Sequence, residues 1–113
     1  MKILHLDTTQ PFFVDELKKL GFTNDYDLDS SKLDIEKKIS SYYGIIIRSR
    51  INIDKTFIDN CKKLKFIARI GSGTENIDVE YCRSKQITII STPEGNSNAV
   101  GEHALGLLLN LIN

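Results

Sequence analysis

No long apolar run, no excess of one charge and no cluster of catalytic or metal-binding side chains occurs in this chain. Each absence removes a class of function. The opening residues, Met1-Lys2-Ile3-Leu4-His5-Leu6-Asp7, are too short an apolar stretch for a secretion signal. Nothing later reaches the length of a membrane-spanning helix. Fifteen basic and fifteen acidic side chains cancel, which gives no general support for nucleic acid or an acidic membrane as a partner. Only two cysteines are present, Cys61 and Cys82, without metal-ligand spacing, so two free thiols in a reducing compartment are expected. No Ser-His-Asp or Cys-His grouping supplies a nucleophile with its base. The expectation is one cytoplasmic domain, residues 1–113, with an ordinary globular composition, no metal and no catalytic residue of its own.

What is present is a regular alternation of short apolar strands and helices. Lys2 to Leu6 is apolar and ends in Asp7-Thr8-Thr9-Gln10. Pro11 then opens a helix with Phe12, Phe13, Leu17 and Leu20 inward, and Gly21 closes it. Thr23 to Leu28 alternates weakly, as an edge strand does. Asp29-Ser30-Ser31 caps a helix through Ile35 and Ile39. Gly44-Ile45-Ile46-Ile47 is the most apolar strand and belongs at the centre. Asp54 caps a helix with Phe57 and Ile58 inward, and Leu64 to Ala68 forms the next strand. Asp78 caps a short helix through Cys82, Ile87 to Ile90 is the last strand, and a long helix starts near Asn96. Short linkers and strands without polar alternation predict a parallel sheet covered on both faces. The expected fold is α/β, a flavodoxin-like doubly wound sheet of five strands in the order 2-1-3-4-5.

In such a sheet, ligands bind at the carboxyl ends of the strands. Three loops there carry suitable chemistry. Arg48-Ser49-Arg50 follows the central strand and offers two guanidinium forks and a hydroxyl to a carboxylate or phosphate. Gly71-Ser72-Gly73 allows a turn whose successive N–H groups face one concavity, a candidate anion nest; a plain tight turn is the alternative. It is not a dinucleotide fingerprint, because Asn76 stands where the third glycine is needed. Thr92-Pro93-Glu94-Gly95-Asn96 fixes a turn in which Asn96 either caps the helix or presents its amide to a ligand. His5 falls in a buried strand and His103 on the closing helix, both expected to be packing residues. A phospho-accepting receiver needs a carboxylate where Arg48-Ser49-Arg50 stands. A flavodoxin needs a glycine phosphate loop where Asp7-Thr8-Thr9-Gln10 stands. Both readings fail at their defining positions.

Three segments together carry a family resemblance: Arg69-Ile70-Gly71-Ser72-Gly73-Thr74-Glu75-Asn76-Ile77-Asp78, Thr92-Pro93-Glu94-Gly95-Asn96-Ser97 and Val100-Gly101-Glu102-His103-Ala104-Leu105. The chain resembles the N-terminal, substrate-binding domain of the D-isomer-specific 2-hydroxyacid dehydrogenases, and is most similar to the phosphoglycerate-oxidising branch. Gly101 stands where that family usually has alanine. The resemblance implies NAD-dependent oxidation of a D-2-hydroxy acid, with 3-phosphoglycerate a candidate that Arg48 and Arg50 suit. It implies that Ser49 and Arg50 face the substrate's acidic end and that Gly71, Ser72 and Gly73 donate to its carboxylate. Asn96 would line the cleft, and Ser72 and Val100 would approach the cofactor.

The closing helix has apolar residues nearly all round. Val100, Ala104, Leu107, Leu108 and Leu111 form one stripe, and Leu105, Leu109 and Ile112 a second. Such a helix expects protein on two sides, and the pattern runs to Asn113 without a cap. The expectation is a truncated dehydrogenase, inactive alone, whose NAD-binding domain would follow and pack on this helix. Self-association from Val100 to Ile112 is expected in its absence. The alternative is a free-standing anion-binding or protein-interaction module on the same sheet.

Overall fold

The computed structural model describes residues 1–9, 11–71, 75–92 and 105–111. Five strands, β1 (Lys2–His5), β2 (Thr23–Tyr26), β3 (Gly44–Ile47), β4 (Phe66–Ile70) and β5 (Thr88–Thr92), form one sheet in the order β2-β1-β3-β4-β5. Every pairing is parallel. Helices α1 (Pro11–Lys19), α2 (Lys32–Lys38), α3 (Lys55–Asp59) and α4 (Val79–Ser84) connect the strands, and residues 105–111 are helical. The doubly wound order expected from the strand pattern is the order observed.

The two sides of β1, β3, β4 and β5 feed two separate cores, as a parallel sheet covered on both faces requires. Leu4, Ile45, Ile47 and Ile67 face one side, packed with Ile35, Phe57 and Cys82 from α2, α3 and α4. Ile3, Ile46, Phe66, Ala68 and Ile90 face the other, packed with Phe13 and Leu17 of α1 and with Leu108. Each of the four β3 residues is buried, and β2 stands at an edge, as its weak alternation suggests.

Two helix ends use the same device. After α1, the Phe22 amide donates to Leu17 O (3.1 Å) and the Gly21 amide to Lys18 O (3.0 Å), with Gly21 at φ +96°. After α4, the Ile87 amide donates to Cys82 O (2.9 Å) and the Gln86 amide to Arg83 O (3.0 Å). This paired bonding needs a left-handed residue between helix and exit. Gln86 supplies it at φ +61°, where a side chain is strained. Gln86→Gly is therefore expected to raise the unfolding free energy by about 1 kcal/mol. A urea melt with an unchanged or lower midpoint would contradict this.

Three sequence expectations shift. Phe12 is exposed, because Phe13, Leu17 and the half-buried Leu20 already fill the inward face at four- and three-residue spacing. Strand β4 begins at Phe66 and carries Arg69 and Ile70, since pairing starts at Gly44↔Phe66 and continues to Ile70↔Thr92. In the closing helix, Leu105 turns inward with Leu108 and Leu111, while Leu107 and Leu109 are exposed. The two flanking leucines each lie about 100° round from Leu108, so a leucine-rich sequence alone did not set the phase. The expected start of this helix near Asn96, with Val100, Glu102, His103, Ala104 and Ile112, lies outside the described residues.

His5 is buried on β1, stacked on Tyr26 at 4.6 Å, with Nε2 and Asn24 Oδ1 2.8 Å apart. Burial lowers its pKa, partly offset by the Asn24 bond, which fits the packing role expected of it. Burial likewise pushes the Cys61 thiol up to about 12 and that of Cys82 to about 11. Neither is a ready nucleophile at neutral pH.

Candidate anion-binding site

The carboxyl ends of β1, β3 and β4 lie side by side, and the loops leaving them are bonded to one another. After β1, Asp7 Oδ2 accepts the Arg48 amide at 2.7 Å, and Thr8 O accepts Arg48 Nε–H at 3.2 Å. After β3, Ser49 is exposed at the head of its loop, with Arg48 and Arg50 half-buried on either side. Arg50 bridges further. Its Nε–H donates to Leu6 O at 2.9 Å, Nη1 to Ser30 O at 2.7 Å and Nη2 to Asp27 O at 2.8 Å. The guanidinium thus reaches from the β3 side across the end of β1 to the loop after β2.

That last loop is itself fixed. Asp27 Oδ1 accepts the amides of Ser30 (2.9 Å) and Asp29 (3.3 Å), and its other oxygen accepts from the Lys38 ammonium. The Lys38 bond, with those amides, holds the Asp27 carboxyl well below the usual carboxylate range despite some burial. Ser31 caps α2 by accepting the Asp34 amide at 3.2 Å, so the capping oxygen is the last of the three offered by Asp29-Ser30-Ser31.

After β4, the chain turns at Gly71, which is buried with φ +131°. Arg69, between Ile47 and Ser91 in the sheet register, folds its guanidinium back over this turn. Nε–H donates to Asn76 Oδ1 at 3.3 Å and Nη1 to Ile70 O at 2.5 Å. Asn76 in turn donates from Nδ2 to Ile51 O at 3.2 Å. An isolated parallel bridge, Ile53↔Ile77, completes the junction, with the Ile53 amide on Asn76 O (2.7 Å) and the Asp78 amide on Ile53 O (2.9 Å). The loops after β3 and β4 are therefore bonded to each other. Asn76, at the position where a dinucleotide fingerprint would need its third glycine, ties those loops together through its side-chain amide.

The structure thus brings Arg48, Ser49, Arg50 and Gly71 to one edge of the sheet. Ser72, Gly73, Asn96 and Val100 lie outside the described residues. Two contributors were not singled out from the sequence. Asp7 orients the Arg48 backbone, and Arg69 brings a third guanidinium to the glycine turn. The signal for Arg69 was its position two residues before Gly71, on a strand that is otherwise apolar. Among the described residues, no three His, Cys, Asp or Glu side chains are grouped to hold a metal. None of the helices described is long and apolar enough to cross a membrane.

Arg48, Ser49, Arg50, Arg69 and the left-handed Gly71 thus stand together at the strand ends of a doubly wound domain, the edge where such folds take their ligands. Comparison with known proteins gives the lineage. The chain belongs to the D-isomer specific 2-hydroxyacid dehydrogenases, a family of oxidoreductases, whose catalytic-domain model matches residues 3–105. It is 29% identical over 109 residues to D-3-phosphoglycerate dehydrogenase of Archaeoglobus fulgidus, covering 96% of this chain and 21% of that protein. An NAD+-bound 3-phosphoglycerate dehydrogenase of Entamoeba histolytica superposes with a TM-score of 0.74 at 31% identity, over 96% of this chain and 38% of its own. The PH0520 protein of Pyrococcus horikoshii OT3 does so with a TM-score of 0.76 at 28% identity, over 97% and 33%. The chain thus spans about a fifth of the curated relative and about a third of these structures.

Proposed function

We propose that this chain is the substrate-binding portion of an NAD-dependent oxidoreductase that interconverts a D-2-hydroxy acid, 3-phosphoglycerate being the leading candidate, and its 2-oxo acid. The observation that carries this reading is the convergence of Arg69 on Gly71 beside the Arg48-Ser49 loop. A carboxylate is held by consecutive amides at a glycine turn and by the fork of an arginine. A second acidic group, such as a phosphate, would then meet the Arg48-Ser49 side. Ser72, Gly73 and Asn96 would complete the cleft. Ser72 and Val100 would face the nicotinamide, which accepts the hydride when the cofactor is bound.

The described residues fit the acid rather than the dinucleotide, for the glycine turn lacks the third glycine of a pyrophosphate cradle. NAD would be held chiefly by the part of the enzyme that the relatives have and this chain does not cover. On this reading the isolated chain binds hydroxy acids without turning them over. It also associates with itself from Val100 to Ile112, which the exposed Leu107 and Leu109 support.

Calorimetric titration of the isolated chain with D-glycerate and 3-phosphoglycerate tests the site, and nicotinamide absorbance tests turnover. Expected are saturable binding that weakens as salt is added, no NADH formation, and a sedimentation coefficient that rises with concentration. Lack of binding by either acid removes the proposed site. NADH produced by this chain alone removes the division of labour. A concentration-independent monomer removes the association.

A further inference from the structure

Of the two arginines flanking Ser49, Arg50 has all three guanidinium nitrogens bonded within the fold. We infer that Arg50 is a positioning residue: it does not touch the bound anion, but holds the Arg48-Ser49 loop in place over the end of β1. The inference rests on the anion site proposed above and assigns Arg50 a different part in it from the contact that the sequence suggested.

The geometry is specific. A guanidinium has five N–H donors in a flat fork. Here all three nitrogens are engaged, each on a backbone carbonyl at 2.7–2.9 Å. The three carbonyls belong to segments 44, 20 and 23 residues away in sequence. Swinging the group out to a ligand would break three charge-assisted bonds, each roughly twice as strong as a neutral one. It would also leave Leu6 O, Ser30 O and Asp27 O without this donor.

The location adds a second argument. In the order β2-β1-β3-β4-β5, the connections diverge between β1 and β3, and that gap is where a doubly wound sheet ordinarily takes its ligand. In this chain the gap is stitched: the Arg48 amide to Asp7, Arg48 Nε to Thr8 O, and Arg50 Nε to Leu6 O. With that place filled by its own side chains, the anion is displaced toward β4, where Arg69 overlies Gly71. Carbonyls do not neutralise a cation, so Arg50 still contributes positive potential to the edge without contacting the ligand.

Lysine keeps the charge but cannot span three diverging carbonyls. Arg50→Lys therefore separates charge from geometry. Amide exchange followed by NMR on the full chain, with inorganic phosphate as the probe, tests the inference. In the wild type, the Arg50 Nε–H resonance should exchange slowly and stay still through a phosphate titration, while amides at Ser49 and Gly71 shift. In Arg50→Lys, amides of Arg48, Ser49 and Ser30 should exchange faster by about tenfold or more, and phosphate affinity should fall by a similar factor. The affinity loss should be strongly non-additive with Arg48→Gln, because both changes act through one loop.

An Arg50 Nε–H that moves with phosphate overturns the inference, as does an additive double variant. Unchanged phosphate affinity in a folded Arg50→Lys leaves Arg50 a purely structural tie and also overturns it. If Arg50→Lys does not fold, the wild-type Nε–H titration decides. If wild-type amides do not respond to phosphate at all, the anion site fails. Exchange in the lysine variant then still shows whether Arg50 holds the loop, and unaltered protection there would overturn that too.

Discussion

Gly44→Ala is expected to lower the unfolding free energy by roughly 2–3 kcal/mol. Gly44 opens β3 and lies opposite Phe66 in the register of β4. The Phe66 ring lies over the place a Cβ would occupy, with three ring carbons inside 3.0 Å of it and Cε2 at 2.8 Å. A flexible side chain would move aside, but this ring cannot. Phe66 is fully buried, with Phe22 edge-on at 6.3 Å and Tyr43 at 6.1 Å. The added methyl must therefore push β3 from β4 or drive the ring from its rotamer. Alanine's lower chain entropy in the unfolded state returns only about 0.5–1 kcal/mol. Urea melts should show a lower midpoint at unchanged slope. The Phe66→Leu background should shrink the penalty, since leucine leaves room over Gly44. An unshifted midpoint, or an equal penalty with leucine at 66, would remove the ring as the cause.

The same pair of strands shows how far residue patterns can be read. The sheet order was legible because Gly44-Ile45-Ile46-Ile47 is apolar on both faces, whereas Thr23 to Tyr26 is not, and this separates centre from edge. Helix starts at Asp54 and Asp78 were legible because a carboxylate that accepts an amide three residues on is a local device. Arg69 fell outside the strand expected from Leu64 to Ala68 for the opposite reason. A charged residue ends an apolar run in sequence, yet the strand continues through it because Ile47, Ser91 and Thr92 offer partners to that segment. Arg48 and Arg50 looked equivalent because their difference lies in the carbonyls they meet, and any residue can supply a carbonyl. The glycine turn was found by composition, but the guanidinium covering it was not, since its place depends on the space left by the missing side chain of Gly71.

That dependence gives the largest functional effect expected in this chain. Gly71→Ala should weaken phosphate binding by about tenfold or more, while costing roughly 1–3 kcal/mol of stability. Two causes act together. At φ +131° any L side chain is strained, so the turn must deform before the methyl is accepted. The methyl would also fall on Arg69 Nη1, with Cζ only 3.4 Å from it. Arg69 is long enough to yield, and yielding breaks its bonds to Asn76 Oδ1 and Ile70 O and removes the fork from the turn. The backbone strain should appear in the urea midpoint, and the loss of the fork in the phosphate titration. Arg69→Ala separates the two: it should lose binding as Gly71→Ala does but lose less stability. In the double variant, binding should fall no further than in either single one, because both remove the same group. Full phosphate affinity in Gly71→Ala would show that Arg69 is not the anion's partner. It would also show that the glycine serves only the turn.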